Sequence, residues 1–242
     1  PGVAAIQGWD ALMHYAYSQE PFRGSGSASN WHSYNDPAML ATLPAAALAY
    51  RRGDVKPATT TYVFDPGQAL FNQPMTAANS PALRTAMEKG RLLIAMPQTK
   101  ELPWLKRNPL PPGAQVLRDP MQSAIESKTN EATSDTGELK RNWAQGIYTI
   151  DTARTQAAMG WIGDEAIQLG DIEIRSQARN ATVAVQSLDD APISQSTSLL
   201  ISLGARAVPK DGGRLTPFYV EPVIGELRIR APKGLKLYRR GV

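Results

Sequence analysis

Val3-Ala4-Ala5-Ile6-Gln7-Gly8-Trp9-Asp10-Ala11-Leu12-Met13-His14-Tyr15-Ala16-Tyr17-Ser18 is the run on which the fold assignment turns. Residues 3–7 are apolar enough to close a helix, and Gly8 supplies its stop. Trp9 to Ser18 then reads as a strand with few polar positions, which suits a parallel sheet covered on both faces. A Gly/Ser loop follows over 19–35, interrupted by Trp31 and Tyr34. Asp36-Pro37 opens a helix, with aspartate at the N-cap and proline at the first helical position. That helix runs to Arg51-Arg52 and ends at Gly53.

Helix end, buried strand, polar loop, helix: in that order the elements read as the last unit of a TIM-type (β/α)8 barrel. Residues 1–53 are therefore expected to form a barrel-end strand-loop-helix unit. The first residue is Pro1, which reads as a processed or truncated end. The expected parent is a larger enzyme.

Residues 54–132 read as a strand and a proline-rich connector. Thr59 to Phe64 is the strand, closed by Asp65-Pro66-Gly67. Ala82 to Lys89 is weakly helical, and Leu92 to Met96 is a short buried element. Pro103, Pro109, Pro111, Pro112 and Pro120 then crowd one stretch, and proline cannot donate to a central ladder. From 133 to 242 the pattern is short alternating strands with frequent turns, as in an antiparallel β-sandwich. Ile172 and Ile174 alternate with Asp171, Glu173 and Arg175; Leu227 and Ile229 alternate with Glu226, Arg228 and Arg230. The expected fold class is mainly β: an antiparallel β-sandwich with an N-terminal α/β remnant of a TIM-type barrel.

Composition narrows the chemistry. The 242 residues hold no cysteine and two histidines. Disulfides and thiolate metal sites are excluded, and a histidine-rich metal centre is disfavoured. The missing cysteines fit a periplasmic or secreted bacterial protein. No apolar run approaches the ~20 residues that span a bilayer. The net charge is +4, and its basic residues are scattered, whereas nucleic-acid binding needs a clustered stripe. Only convergence of Arg51, Arg52, Arg228, Arg230, Arg239 and Arg240 would reverse that expectation. No nucleotide or phosphate fingerprint and no nucleophile elbow occurs.

The aromatics concentrate instead. Trp9, His14, Tyr15, Tyr17, Trp31 and Tyr34 fall on one expected strand and the loop after it. Aromatic faces suit a sugar ring, with polar neighbours for its hydroxyls. Trp9, His14, Tyr15 and Trp31 are the expected substrate-binding residues. Trp9 and the tyrosines also read as core residues, because aromatics bury large areas, and His14 also reads as a hydrogen-bonded structural histidine. Glycoside cleavage needs two carboxylates at a fixed gap. Asp10 lies at the wrong end of the strand, Asp36 is explained as a cap, and Glu20 has no visible partner. No catalytic residue and no metal ligand is assigned.

Residues 7–18 resemble the last barrel strand of bacterial glycoside hydrolases of the clan that includes β-galactosidase-like and cellulase-like (β/α)8 enzymes. Asp36-Pro37-Ala38 through Asp54-Val55 is similar to the helix that follows it. Ile150 to Ala157, continuing to Leu169-Gly170-Asp171-Ile172, resembles the accessory β-domain found after such barrels. The resemblance implies retaining hydrolysis of a poly- or oligosaccharide by two glutamates on strands that precede Pro1, without a cofactor. It also implies that Trp9 matches a tryptophan flooring the sugar site. The implied partners are carbohydrate and the rest of the same enzyme, or another copy of the chain. The competing expectation is a non-catalytic carbohydrate-binding or structural β-sandwich module.

Overall fold

The computed structural model describes residues 1–19, 33–34, 36–96, 104, 109–126, 129–210 and 217–239. In chain order the helices and strands are α1 (Gly2–Gln7), α2 (Pro37–Arg51), β1 (Thr61–Phe64), α3 (Ala69–Asn72), α4 (Pro81–Lys89), β2 (Arg91–Ile94), β3 (Gln115–Leu117), β4 (Glu131–Thr133), β5 (Leu139–Asn142), β6 (Ile147–Asp151), β7 (Thr155–Gly160), β8 (Ile167–Gln168), β9 (Ile172–Ser176), β10 (Ala181–Ser187), β11 (Leu199–Gly204), β12 (Ala207–Pro209), β13 (Phe218–Val220) and β14 (Gly225–Ile229). Strand outweighs helix and most pairings are antiparallel, so the fold is mainly β. The chain divides into two compact units. One comprises residues 1–2, 11–55 and 145–242; the other comprises 3–10 and 56–144.

In the first unit, β6, β7, β10 and β11 form antiparallel ladders, with β7 and β10 between the other two. A second antiparallel group orders β14-β9-β8. The alternation read from the sequence holds in β9, where Ile172 and Ile174 are buried while Arg175 is exposed. These isoleucines share one apolar cluster with Ala158, Val183, Val185 and Ile193, and with the half-buried Leu227 and Ile229. Strand β10 departs from simple alternation: six of its seven residues are buried. The reason is α2, which packs on β10 and β11. The small Ala184 leaves room on that side, and the Gln186 amide donates to the Ala45 carbonyl at 3.1 Å.

Helix α2 begins as expected. The Asp36 carboxylate accepts from the Met39 amide at 2.9 Å, and Pro37 occupies the first helical position. Its C-terminal end is fixed by a buried charge. The Asp54 side chain is fully buried and contacts Arg52 and Arg154, the latter at 2.7 Å. The Thr155 hydroxyl donates to Asp54 at 2.6 Å, and Arg52 donates to the Ser187 carbonyl at 2.5 Å.

The strand expected over Trp9–Ser18 is absent. These residues follow α1, which Gly8 ends at φ +67°, but they adopt irregular backbone. No described strand pairs with them, so nothing holds the segment in a ladder. The longer strand expected over Leu199–Val208 is two strands, β11 and β12.

The second unit also differs from the connector expected over 54–132. It contains a parallel sheet ordered β2-β1-β3, and β3 emerges from the proline-rich stretch. Proline constrains φ and lacks a donor only at its own position; Gln115-Val116-Leu117 lies clear of Pro112 and Pro120. Helix α4 is capped by the Ser80 hydroxyl, which accepts from the Leu83 amide at 3.3 Å. It buries Ala82, Leu83 and Ala86 against Tyr62, Phe64 and Leu117. Asp135 holds the entry to β1, accepting from the Thr59 amide and hydroxyl, each at 2.8 Å, and from the Thr60 amide at 2.5 Å. Burial pushes the Asp135 carboxyl up, but donors on Thr60 and Thr59 outweigh it and hold the group below its usual range.

Removing one partner of a buried ion pair leaves the other charges uncompensated. Asp54→Ala should therefore cost about 3 kcal/mol in urea unfolding. Asp190, whose side chain is 96% exposed, pairs with Arg154 from the solvent side, and Asp190→Ala should cost less than about 1 kcal/mol. The depressed Asp135 group contributes stability that is complete above the ordinary carboxylate range and is lost as pH falls through the depressed value. Asp135→Asn should be less stable at neutral pH, and its urea midpoint should vary less than that of the parent between about pH 5 and pH 1.

Candidate functional site

Of the sequence-predicted site residues, Trp9, His14 and Tyr15 lie among the described residues. Trp9 belongs to the second unit and is 57% exposed, so it does not form core. Tyr15 belongs to the first unit and is 73% exposed. His14 Nε2 lies 3.0 Å from the hydroxyl of Ser33, which is wholly buried. Trp31 lies outside the described residues. The segment around His14 is nevertheless anchored: the Ser33 amide donates to the Ala16 carbonyl at 3.1 Å and the Tyr34 amide to the Tyr17 carbonyl at 2.8 Å. The Tyr17 and Tyr34 rings meet at a tilt, with centroids 5.9 Å apart. Leu12, Met13, Tyr15 and Tyr17 stay open to solvent.

A second feature was not legible in the sequence. One end of the β7-β10-β11 sheet forms, with the start of α2, an open groove of about 690 Å³. Register explains its assembly. Gly160 pairs with Ala181, and Thr182 pairs with Gly204. Trp161, Arg179-Asn180 and Ala205-Arg206 therefore leave the sheet at the same end. Asp36 and Met39 line the helical side, and Glu221, just after β13, lines another part. The Arg179 guanidinium carbon sits 5.8 Å from the centroid of the Trp161 ring.

Trp161 owes its position to Gly146. Their backbones join through the Trp161 amide and the Gly146 carbonyl at 3.2 Å. A Cβ on Gly146 would come within 2.3 Å of the indole, and its φ of +68° is one that residues with side chains rarely adopt.

Among the described residues, neither the groove nor the His14 segment shows the acid pair of a glycosidase. Asp36 caps α2, and Glu221 lies 3.7 Å from Arg206. A raised carboxyl is the mark of a catalytic acid, and burial does push Glu88 up, with Arg141 pulling it back. Glu88, however, is held by Arg141 at 2.6 Å on α4, an ion pair that accounts for its place in the fold. Three arginines named for a basic stripe are likewise occupied: Arg52 by Asp54, Arg228 by Glu173 and Glu226, and Arg230 by Asp171. No group of three or more metal-ligating side chains occurs among the described residues.

No protein-family model, curated protein or solved structure matches the chain.

Gly146→Ala forces both a strained backbone and a displaced indole. It should lower stability by at least about 1 kcal/mol, and in spectra of indole-labelled protein the Trp161 resonance should shift.

Proposed function

We propose that this chain is the C-terminal portion of a glycoside hydrolase acting on poly- or oligosaccharide, with the catalytic glutamates supplied from outside it. On this reading residues 1–53 are the remnant of a TIM-type barrel, and the antiparallel sheets of the first unit form the accessory β-sandwich. A periplasmic or secreted location, with carbohydrate as the partner, goes with it.

The observation that supports the reading is the open, anchored segment 11–17. Leu12, Met13, Tyr15 and Tyr17 are exposed on backbone tied down at Ser33 and Tyr34. A soluble domain rarely leaves such a cluster uncovered without a partner for it. A barrel strand takes its ladder from neighbours on both sides. Without them the same sequence has no reason to stay extended, which agrees with the irregular backbone of 9–18. His14, whose Nε2 is engaged by Ser33, keeps a second ring nitrogen for a sugar hydroxyl, and Tyr15 offers a ring face beside it.

The test is a titration of the ¹⁵N-labelled chain with gluco-, xylo- and galacto-configured pentasaccharides. Amide shifts are expected at His14 and Tyr15, and Tyr15→Ala or Trp31→Ala should weaken the interaction about tenfold. Millimolar sugar that leaves residues 11–17 unmoved throughout the series overturns the reading.

A further inference from the structure

The groove at the end of the β7-β10-β11 sheet has no part in the function proposed above. We infer that it is a separate binding site for a neutral oligosaccharide chain.

Shape comes first. About 690 Å³ lies within the range of about 300–1,000 Å³ typical of small-molecule sites. The groove is open rather than enclosed, so a ligand need not be surrounded in order to lie in it. That favours a segment of a polymer over an engulfed metabolite.

Charge comes second. Arg179 and Arg206 contribute two positive groups, and Asp36 and Glu221 contribute two negative ones. The lining has no net charge with which to select an ionic ligand. It offers instead a mixture of fixed donors and acceptors: a guanidinium fork on Arg179, the Asn180 amide, the Thr182 hydroxyl and the Glu221 carboxylate. A polyol presents both hydrogen-bond roles at every ring position, and matches such a lining.

The apolar wall comes third. Trp161 is half exposed and is seated by its contact with Gly146. An aromatic side chain fixed in this way presents a large apolar surface at little entropic cost. The C–H bonds of a pyranose can lie on it while the hydroxyls turn to Arg179 and Asn180. Arg179 forms no ion pair among the described residues, and its place near the indole orders its planar fork.

The experiment uses the whole chain and the same three neutral pentasaccharides, with a tetragalacturonate and inorganic sulfate beside them. Neutral sugar is expected to shift the Trp161 indole and the Arg179 and Asn180 amides. Trp161→Ala should weaken binding at least about tenfold. Arg179→Ala should do so severalfold; that residue is exposed, so this variant keeps the test valid where Trp161→Ala fails to fold. Shifts confined to residues 11–17 would overturn the groove site and leave the proposed function standing. Shifts confined to the groove would do the reverse. Binding of tetragalacturonate or sulfate alone, or sugar-induced shifts at the Trp161 indole that keep the parent affinity in Arg179→Ala, overturns the assignment to neutral sugar.

Discussion

The first unit depends on one buried negative charge. Asp54 lies where three parts of the chain meet: the end of α2 through Arg52, the start of β7 through Arg154 and Thr155, and the end of β10 through the Ser187 carbonyl that Arg52 reaches. A carboxylate removed from water is costly unless its oxygens are all engaged. Here Oδ2 takes Arg52 and the Thr155 hydroxyl, while Oδ1 has the Arg154 charge 2.7 Å away. The Thr155 hydroxyl also accepts from Gln186 at 3.0 Å, and the same Gln186 amide reaches the Ala45 carbonyl. A continuous polar line therefore runs from the middle of α2, through β10 and β7, to Asp54. Apolar packing alone would let the helix slide along the sheet; this line fixes its register.

That register matters for the groove. Asp36 and Met39 stand at the start of α2, and Trp161, Arg179 and Arg206 at strand ends. Their separation is set by how far along the sheet the helix begins. Anchoring the last turn of α2 at Asp54 and its middle at Gln186 sets where the helix lies on the sheet, while Pro44, one residue before the Ala45 anchor, interrupts its hydrogen-bond ladder toward the first turn. The Arg179–Trp161 pair lies at the far end of β7 and β10 from the Asp54 clamp, so the sheet links the two regions mechanically.

Local chemistry was legible in the sequence, and long-range partnership was not. The cap of α2 was readable because Asp36-Pro37 acts within one turn, and β9 because Ile172 and Ile174 keep a period of two. The strand expected over Trp9–Ser18 does not form for a physical reason: a run of apolar residues states a preference for burial, while a strand also needs a neighbour to bond. The parallel sheet was missed because β3 has only three residues and lies among prolines. Asp54 meets Arg154 across a hundred positions, and Trp161 meets Arg179 through a ladder register. Neither pairing leaves a trace in spacing. Trp161 stood alone between two glycines, Gly160 and Gly163, and only its solvent exposure in the fold distinguishes it from a core tryptophan.

The first unit is discontinuous, with residues 56–144 lying between its segments 11–55 and 145–242. As the chain emerges from the ribosome, α2 appears well before the strands that cover it. Its buried face, Ala45 and Ala49, is small and mildly apolar, a surface that can wait in water without recruiting the wrong partner. The intervening segment carries its own core around Phe64 and Leu117 and can collapse in the meantime. Vectorial synthesis thus favours a nested order, inner body before outer, and modest alanines on the waiting helix keep that delay harmless.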